Sequence, residues 1–223
     1  MFFAGLYYGI DFEKGAHCTM DKCFFVSNIK YGVYIRNLDS PDSGDHNISN
    51  CEFDTSKDTD AAIRHESSGG LKVSNTKILS HKIAYDLQIS EGVTTSITLF
   101  SNCSIENQTN RFMRCGRLGS TGTFNLIAIM GSQFASATLA DEGFLFSSGV
   151  NHVTLVGNLI KGSSEKIGVN VTGGSDHVVD NNIFLNWNTG IRLGSPVVDS
   201  EISRNNKFKD VSTTIEDNTL NTI

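Results

Sequence analysis

Short runs of alternating apolar and polar residues return along this chain at a nearly constant interval. Gly9-Ile10-Asp11-Phe12, Gly32-Val33-Tyr34-Ile35, Ala84-Tyr85-Asp86-Leu87, Gly143-Phe144-Leu145-Phe146, Gly168-Val169-Asn170-Val171 and Gly190-Ile191-Arg192-Leu193 share one pattern, with Ala62-Ile63-Arg64-His65 and Phe112-Met113-Arg114-Cys115 in the two remaining places. Alternation with period two is what a strand with one buried face requires.

A second series keeps the same step. Asn50-Cys51-Glu52-Phe53, Asn75-Thr76-Lys77-Ile78, Asn102-Cys103-Ser104-Ile105, Gly157-Asn158-Leu159-Ile160, Asn181-Asn182-Ile183-Phe184 and Asn205-Asn206-Lys207-Phe208 are joined by Lys22-Cys23-Phe24-Phe25 and Gly131-Ser132-Gln133-Phe134, so the starts are 24 to 29 residues apart. Five residues before each closing apolar residue stands another one: Met20, Ile48, Val73, Phe100, Ile129, Leu155 and Val179, with Ile202 displaced by one place in the last coil. An inward strand residue, a bend and a second inward strand residue account for that interval. Asn suits the bend because its short amide tolerates left-handed backbone and bonds to its own turn. Stacked coil on coil, such amides can also bond along the molecule in a ladder.

Each coil thus supplies a strand, a turn, a second strand, an Asn-bearing bend and a short third strand. One coil cannot bury its own apolar side chains, so neighbouring coils must cover one another. The reading is a right-handed, single-stranded parallel β-helix of about eight to nine coils, spanning residues 1–223 as one domain. An antiparallel sandwich would place turns often enough, but it would not repeat homologous positions at this spacing. Composition agrees: Gly, Asn, Ser and Thr are abundant and Pro occurs only at Pro41 and Pro196, while runs of strong helix formers are missing.

The net charge of −6 leaves no broad basic face, which argues against nucleic acid as a partner. No run approaches the roughly eighteen apolar residues of a membrane span, and Met1 to Leu6 lacks the basic start and length of a signal peptide. The five cysteines lack paired metal or redox spacing. Cys23, Cys51 and Cys103 share one repeat position and read as small stacking residues. His65 falls at an inward phase, as a satisfied core histidine; His17, His46, His81, His152 and His177 lie near turns without ligand spacing. Trp187 sits in the turn before the Gly190 strand, as a staple over the core edge.

The repeated strands and Asn bends resemble those of the pectate-lyase-like superfamily of β-helices over about residues 7 to 217. The resemblance is specific for the fold; a function taken from it rests on analogy. It implies a polysaccharide groove on the face of the first series, polysaccharide lyase or inverting glycosidase chemistry, and an extracellular or virion-associated setting like that of phage tailspike depolymerases, which are commonly trimers. Unlike typical members, the chain opens almost directly on a coil, and Met1 to Tyr8 substitutes poorly for a capping helix. It therefore reads as part of a longer protein or as an oligomer that caps itself, since an open end exposes strand edges.

Coils stack about 4.8 Å apart, so outward residues of the first series form columns. One column runs Asp11, Tyr34, Arg64, Asp86, Arg114, Leu145, Asn170, Arg192; the next runs Glu13, Arg36, Glu66, Gln88, Gly116, Ser147, Thr172, Gly194. Glu66 and Asp86 stand on adjacent coils in neighbouring columns, roughly 8 Å apart by stacking and strand rise. That is compatible with the acid and base of an inverting glycosidase, about 6.5 to 9.5 Å apart with a water between them. Arg36, Arg64 and Arg114 flank the pair, and planar guanidinium groups suit the carboxylates of an acidic polysaccharide. In a lyase, Arg64 or Arg114 would be the base, with Ca²⁺ on Asp11, Glu13 or Asp86. Tyr34 is a candidate sugar platform, and Gln88 and Glu13 complete the binding face. Asp39 to Asp45 forms an acidic loop that could also hold Ca²⁺. The alternation of sign up each column is equally what a stack needs to keep like charges apart, which leaves open a non-catalytic structural or glycan-binding segment of a virion or surface protein.

Overall fold

The computed structural model describes residues 1–13, 17–28, 30–36, 44–54 and 59–219. Among these the chain forms 24 strands and no helix, and all the pairings between named strands are parallel. It is a parallel β-solenoid of about eight turns.

Three faces wrap the core, each built by one class of sequence position. The site face carries the first series, in strands such as Tyr31–Ile35, Ala61–His65, Ile83–Ile89 and Arg111–Arg117. The middle face is an eight-stranded sheet in which Met20, Ile48, Val73, Phe100, Ile129, Leu155, Val179 and Ile202 are stacked in register. The short face consists largely of three-residue strands whose central residues Phe3, Phe25, Phe53, Ile78, Ile105, Phe134 and Ile160 stack likewise, continuing into Phe184 and Phe208. Residues Phe2–Ala4 form the first of these strands, so the opening residues belong to the stack.

The short and site faces merge at one place. Ile183–Leu193 runs without a break from one face into the other, and Lys207–Asp217 pairs with it from end to end. Trp187 lies within this strand. Instead of stapling a turn, it is fully buried, packs edge-on to Phe112 and donates its indole N–H to the Ile160 carbonyl at 3.0 Å. Gly162 gives it room, since a Cβ there would collide with the indole.

The bend residues take the left-handed conformation that the second series requires: φ lies between 50° and 69° at Lys22, Asn50, Asn75, Asn102, Gly131, Gly157 and Asn181. The amide ladder, however, is one residue further on. Asn158, Asn182 and Asn206 point inward and are buried; the backbone N–H of each of the first two donates to the side-chain amide oxygen of the next, at 2.9 and 3.0 Å. Their amide nitrogens donate back to Ile129, Leu155 and Val179. A side chain in the left-handed position is thrown outward by the bend, so only its successor can stack inside. Cys23, Cys51 and Cys103 occupy this inner position in earlier coils, buried and unoxidised.

His65 is inward as expected but not satisfied. Among the described residues neither its ring nitrogens nor those of His46 have a hydrogen-bond partner, although both rings are fully buried, 6.0 Å apart and edge to face. Burial lowers both pKa values, that of His65 to about 3.

Candidate functional site

The outward columns of the site face are in register. Asp11, Tyr34, Arg64, Asp86, Arg114, Leu145, Asn170 and Arg192 are successive partners, and Glu216 extends the column. In the second column Gln88 pairs with Gly116. The nine residues singled out from the sequence are drawn together at the Asp11 to Arg114 end, where hydrogen bonds, ion pairs and one ring contact link them.

Arg36 grips Asp11 with two parallel bonds of 3.0 and 2.7 Å, lies 3.9 Å from Glu13 and stacks over the Tyr34 ring at 5.2 Å. The Tyr34 hydroxyl donates to Glu66 at 2.8 Å; burial, together with the Glu66 carboxylate, holds this phenol well above its usual range. Arg64 donates from Nε to Glu66 Oε1 at 2.7 Å and from Nη1 to Asp86. Arg114 grips the same Asp86 in bidentate fashion, both bonds 2.8 Å, and Gln88 adds a weaker donor at 3.3 Å.

The Arg64 guanidinium therefore occupies the space between the Glu66 and Asp86 carboxylates. Burial works against its charge, but the two carboxylates outweigh that cost and raise its pKa. Arg64, Glu66 and Asp86 are only 8, 9 and 3% exposed although they lie on an outward face. Asp11 has both oxygens engaged by Arg36, and among the described residues no three His, Cys, Asp or Glu side chains are grouped to hold a metal ion. Most of the acidic Asp39 to Asp45 loop lies outside the described residues.

Beside this network is a polar hollow of about 380 Å³, lined in part by Tyr31, Asp60, Arg64, Lys82, Asn110 and Arg114. Lys82 and Asp60 form its far rim, paired at 3.0 Å. Tyr31, Asp60, Lys82 and Asn110 escaped the sequence reading. They precede the alternating motif by one or two residues and so stand outside both written columns. The signal was nonetheless there, because Tyr8 and Tyr31 each stand just before the repeated Gly and are register partners.

Outside this network the charges thin out. Arg111 holds Glu142 at 3.0 Å, and Asn170 donates to the same carboxylate at 3.0 Å. Burial pushes the Glu142 carboxyl up, but hydrogen bonds from its own backbone, Arg111 and Asn170 bring it below its usual range. Arg192 pairs with Glu216 at 2.8 Å. These groups are accounted for by their own partners and need no ligand to explain them. Compared with known proteins, the chain matches no family model and no curated protein.

Proposed function

We propose that this protein holds an acidic polysaccharide along the site face, with a uronate seated in the hollow between Lys82 and Arg114. The observation that carries the reading is the burial of Arg64, Glu66 and Asp86 on a face that could have been solvated. Taking three charges out of water seldom stabilises a fold. A satisfied network does fix the direction of its outer members, here Arg114, whose Nη1 makes no protein hydrogen bond among the described residues. A guanidinium held by one carboxylate and offering its remaining edge to another is suited to an anionic sugar. Resemblance to pectate-lyase-like β-helices supports the same face and ligand class.

Cleavage is the stronger form of the proposal. Glu66 and Asp86 would be the acid and base of hydrolysis, or Arg114 the base of an elimination beside a neutralised uronate. One observation favours holding over hydrolysis: the Arg64 guanidinium sits where an inverting enzyme keeps its water.

A panel of uronate-containing and capsular polysaccharides, with neutral glycans as controls, tests both forms. Binding is expected for acidic members only and should weaken about tenfold in Lys82→Ala and Arg114→Ala, given one or two charge-assisted bonds lost. New reducing ends or ultraviolet absorbance from unsaturated products, abolished in Glu66→Gln or Asp86→Asn, would establish cleavage. Equal affinity for neutral and acidic glycans, or for neither, overturns the proposal.

A further inference from the structure

The hollow does not end at Tyr31. On its N-terminal side Tyr7, Tyr8, Tyr31 and Tyr34 form a continuous aromatic bed: Tyr8 and Tyr31 are stacked with centroids 5.7 Å apart, Tyr31 and Tyr34 lie 5.1 Å apart, and Tyr7 meets Tyr8 edge-on at 4.7 Å. Tyr7 is 54% exposed. Lys30 reaches over this bed, its ammonium 5.7 Å from the Tyr7 centroid and 5.5 Å from that of Tyr31.

The charge on Lys30 differs from its neighbours in one respect. Arg36, Arg64, Lys82 and Arg114 each face a carboxylate within ion-pair distance, whereas Lys30 faces none among the described residues. Tyrosine rings stabilise a cation only modestly. A cation above one exposed and one partly buried aromatic ring, without a carboxylate among the described residues, presents one ligand with two complementary contacts: a pyranose whose apolar face lies on a ring and whose carboxylate meets the ammonium.

We infer that Lys30 and the Tyr7–Tyr8–Tyr31 bed form a second uronate subsite, continuous with the hollow, that receives the next units of the same polysaccharide. This rests on the acidic-polysaccharide reading and adds a directional claim. The chain extends from Arg114 past Tyr31 toward Tyr7, so affinity rises with oligosaccharide length until this bed is covered.

Short and long oligogalacturonates and oligomannuronates, titrated by calorimetry, provide the test. In the unaltered protein the long members of the binding series should be at least tenfold tighter than the short ones. Tyr7→Ala and Lys30→Gln should each remove most of that gain while leaving short-oligomer affinity within about twofold. Tyr7→Phe should keep the gain, because the ring and not the hydroxyl supplies the surface. Unchanged melting temperatures will show that the variants are folded; Tyr7 is exposed enough for this to be expected. A gain that survives both Tyr7→Ala and Lys30→Gln overturns the subsite while leaving the hollow intact as a binding site. Failure of every length to bind the unaltered protein overturns the parent reading, and the subsite with it.

Discussion

The first four coils and the last four solve the same inward position differently. In the earlier coils it holds Cys23, Cys51, Thr76 and Cys103; in the later ones Ser132, Asn158, Asn182 and Asn206. The later residues bond from coil to coil: Cys103 N–H to Ser132 Oγ, Ser132 N–H to Asn158, and Asn158 to Asn182 to Asn206. The cysteine thiols mostly return their weak bonds to a carbonyl two residues earlier. The site face reverses this order. Its dense ionic network, from Asp11 to Arg114, and its aromatic bed lie toward the early coils, as do His46 and His65, unpartnered among the described residues, and beyond Leu145 the column carries Asn170 and the single Arg192–Glu216 pair. Local rules are obeyed where the chain only has to stack, and broken where the proposed binding face lies. That is the distribution expected when a functional surface is carried at some cost in stability.

Removing a rung tests the contrast most severely. Asn182→Ala should cost about 3 kcal/mol in chemical denaturation, because it leaves the buried Asn158 N–H without its acceptor and removes the amide bonds that Asn182 makes to the Leu155 carbonyl and to Asn206. Thr76→Ala, at the equivalent early position, should cost about 1 kcal/mol, since among the described residues the Thr76 hydroxyl bonds only to the Ser74 carbonyl two residues earlier. Equal losses would mean that the amide ladder contributes nothing special.

Acid should distinguish the halves next. His65 and His81 are held neutral by burial, with pKa values lowered to about 3 from an ordinary value of 6.5, and His46 is lowered in the same direction. A histidine whose folded pKa is depressed takes up protons first in the unfolded chain. Its contribution is therefore complete above about pH 6.5 and falls away as the pH drops toward 3. At pH 4.5 the loss amounts to roughly 3 kcal/mol for a fully depressed group. Hydrogen exchange at that pH should open the early coils before the later ones. His65→Leu should flatten the acid dependence and leave neutral stability equal or higher, because it removes unpartnered polar atoms from the core. Exchange that opens both halves together would contradict this.

The smallest effect concerns the bends. Lys22 adopts φ 52° where Gly131 and Gly157 serve the later coils. Lys22→Gly should stabilise by about 0.5 to 1 kcal/mol and Gly157→Ala should destabilise by about 1 kcal/mol, measured by thermal melting. Matching signs for the two would show that the bends are not conformationally limiting.

The repeat was legible because stacking imposes one requirement many times. Ile48, Val73 and Phe100 answer to the same neighbours, so their spacing reports the register without knowledge of any one contact. The outward columns followed from that register, including Arg64 and Arg114, whose coils are poorly patterned. Side-chain reach was not legible. Arg64 and Glu66 are two residues apart, Glu66 just past the end of the Ala61–His65 strand, and only the length of the arginine carries its guanidinium between the carboxylates of two coils. The ladder was placed one residue early because the sequence marks the left-handed bend by its Asn residues, while the inward position tolerates Cys, Thr, Ser or Asn. Trp187 reads as a turn residue because Asn186 and Asn188 on either side look like turn formers, whereas the strand there passes through a corner without stopping.

That unbroken corner has a mechanical consequence. Elsewhere the short and site faces are separate strips, and a coil can detach one strip at a time. At Ile183–Leu193 both strips are the same piece of backbone, clamped along its whole length by Lys207–Asp217. A pull or a local opening that reaches this point must part the two faces together, which raises the barrier there. The paired strands Ile183–Leu193 and Lys207–Asp217 thus act as a brake on unwinding where they lie.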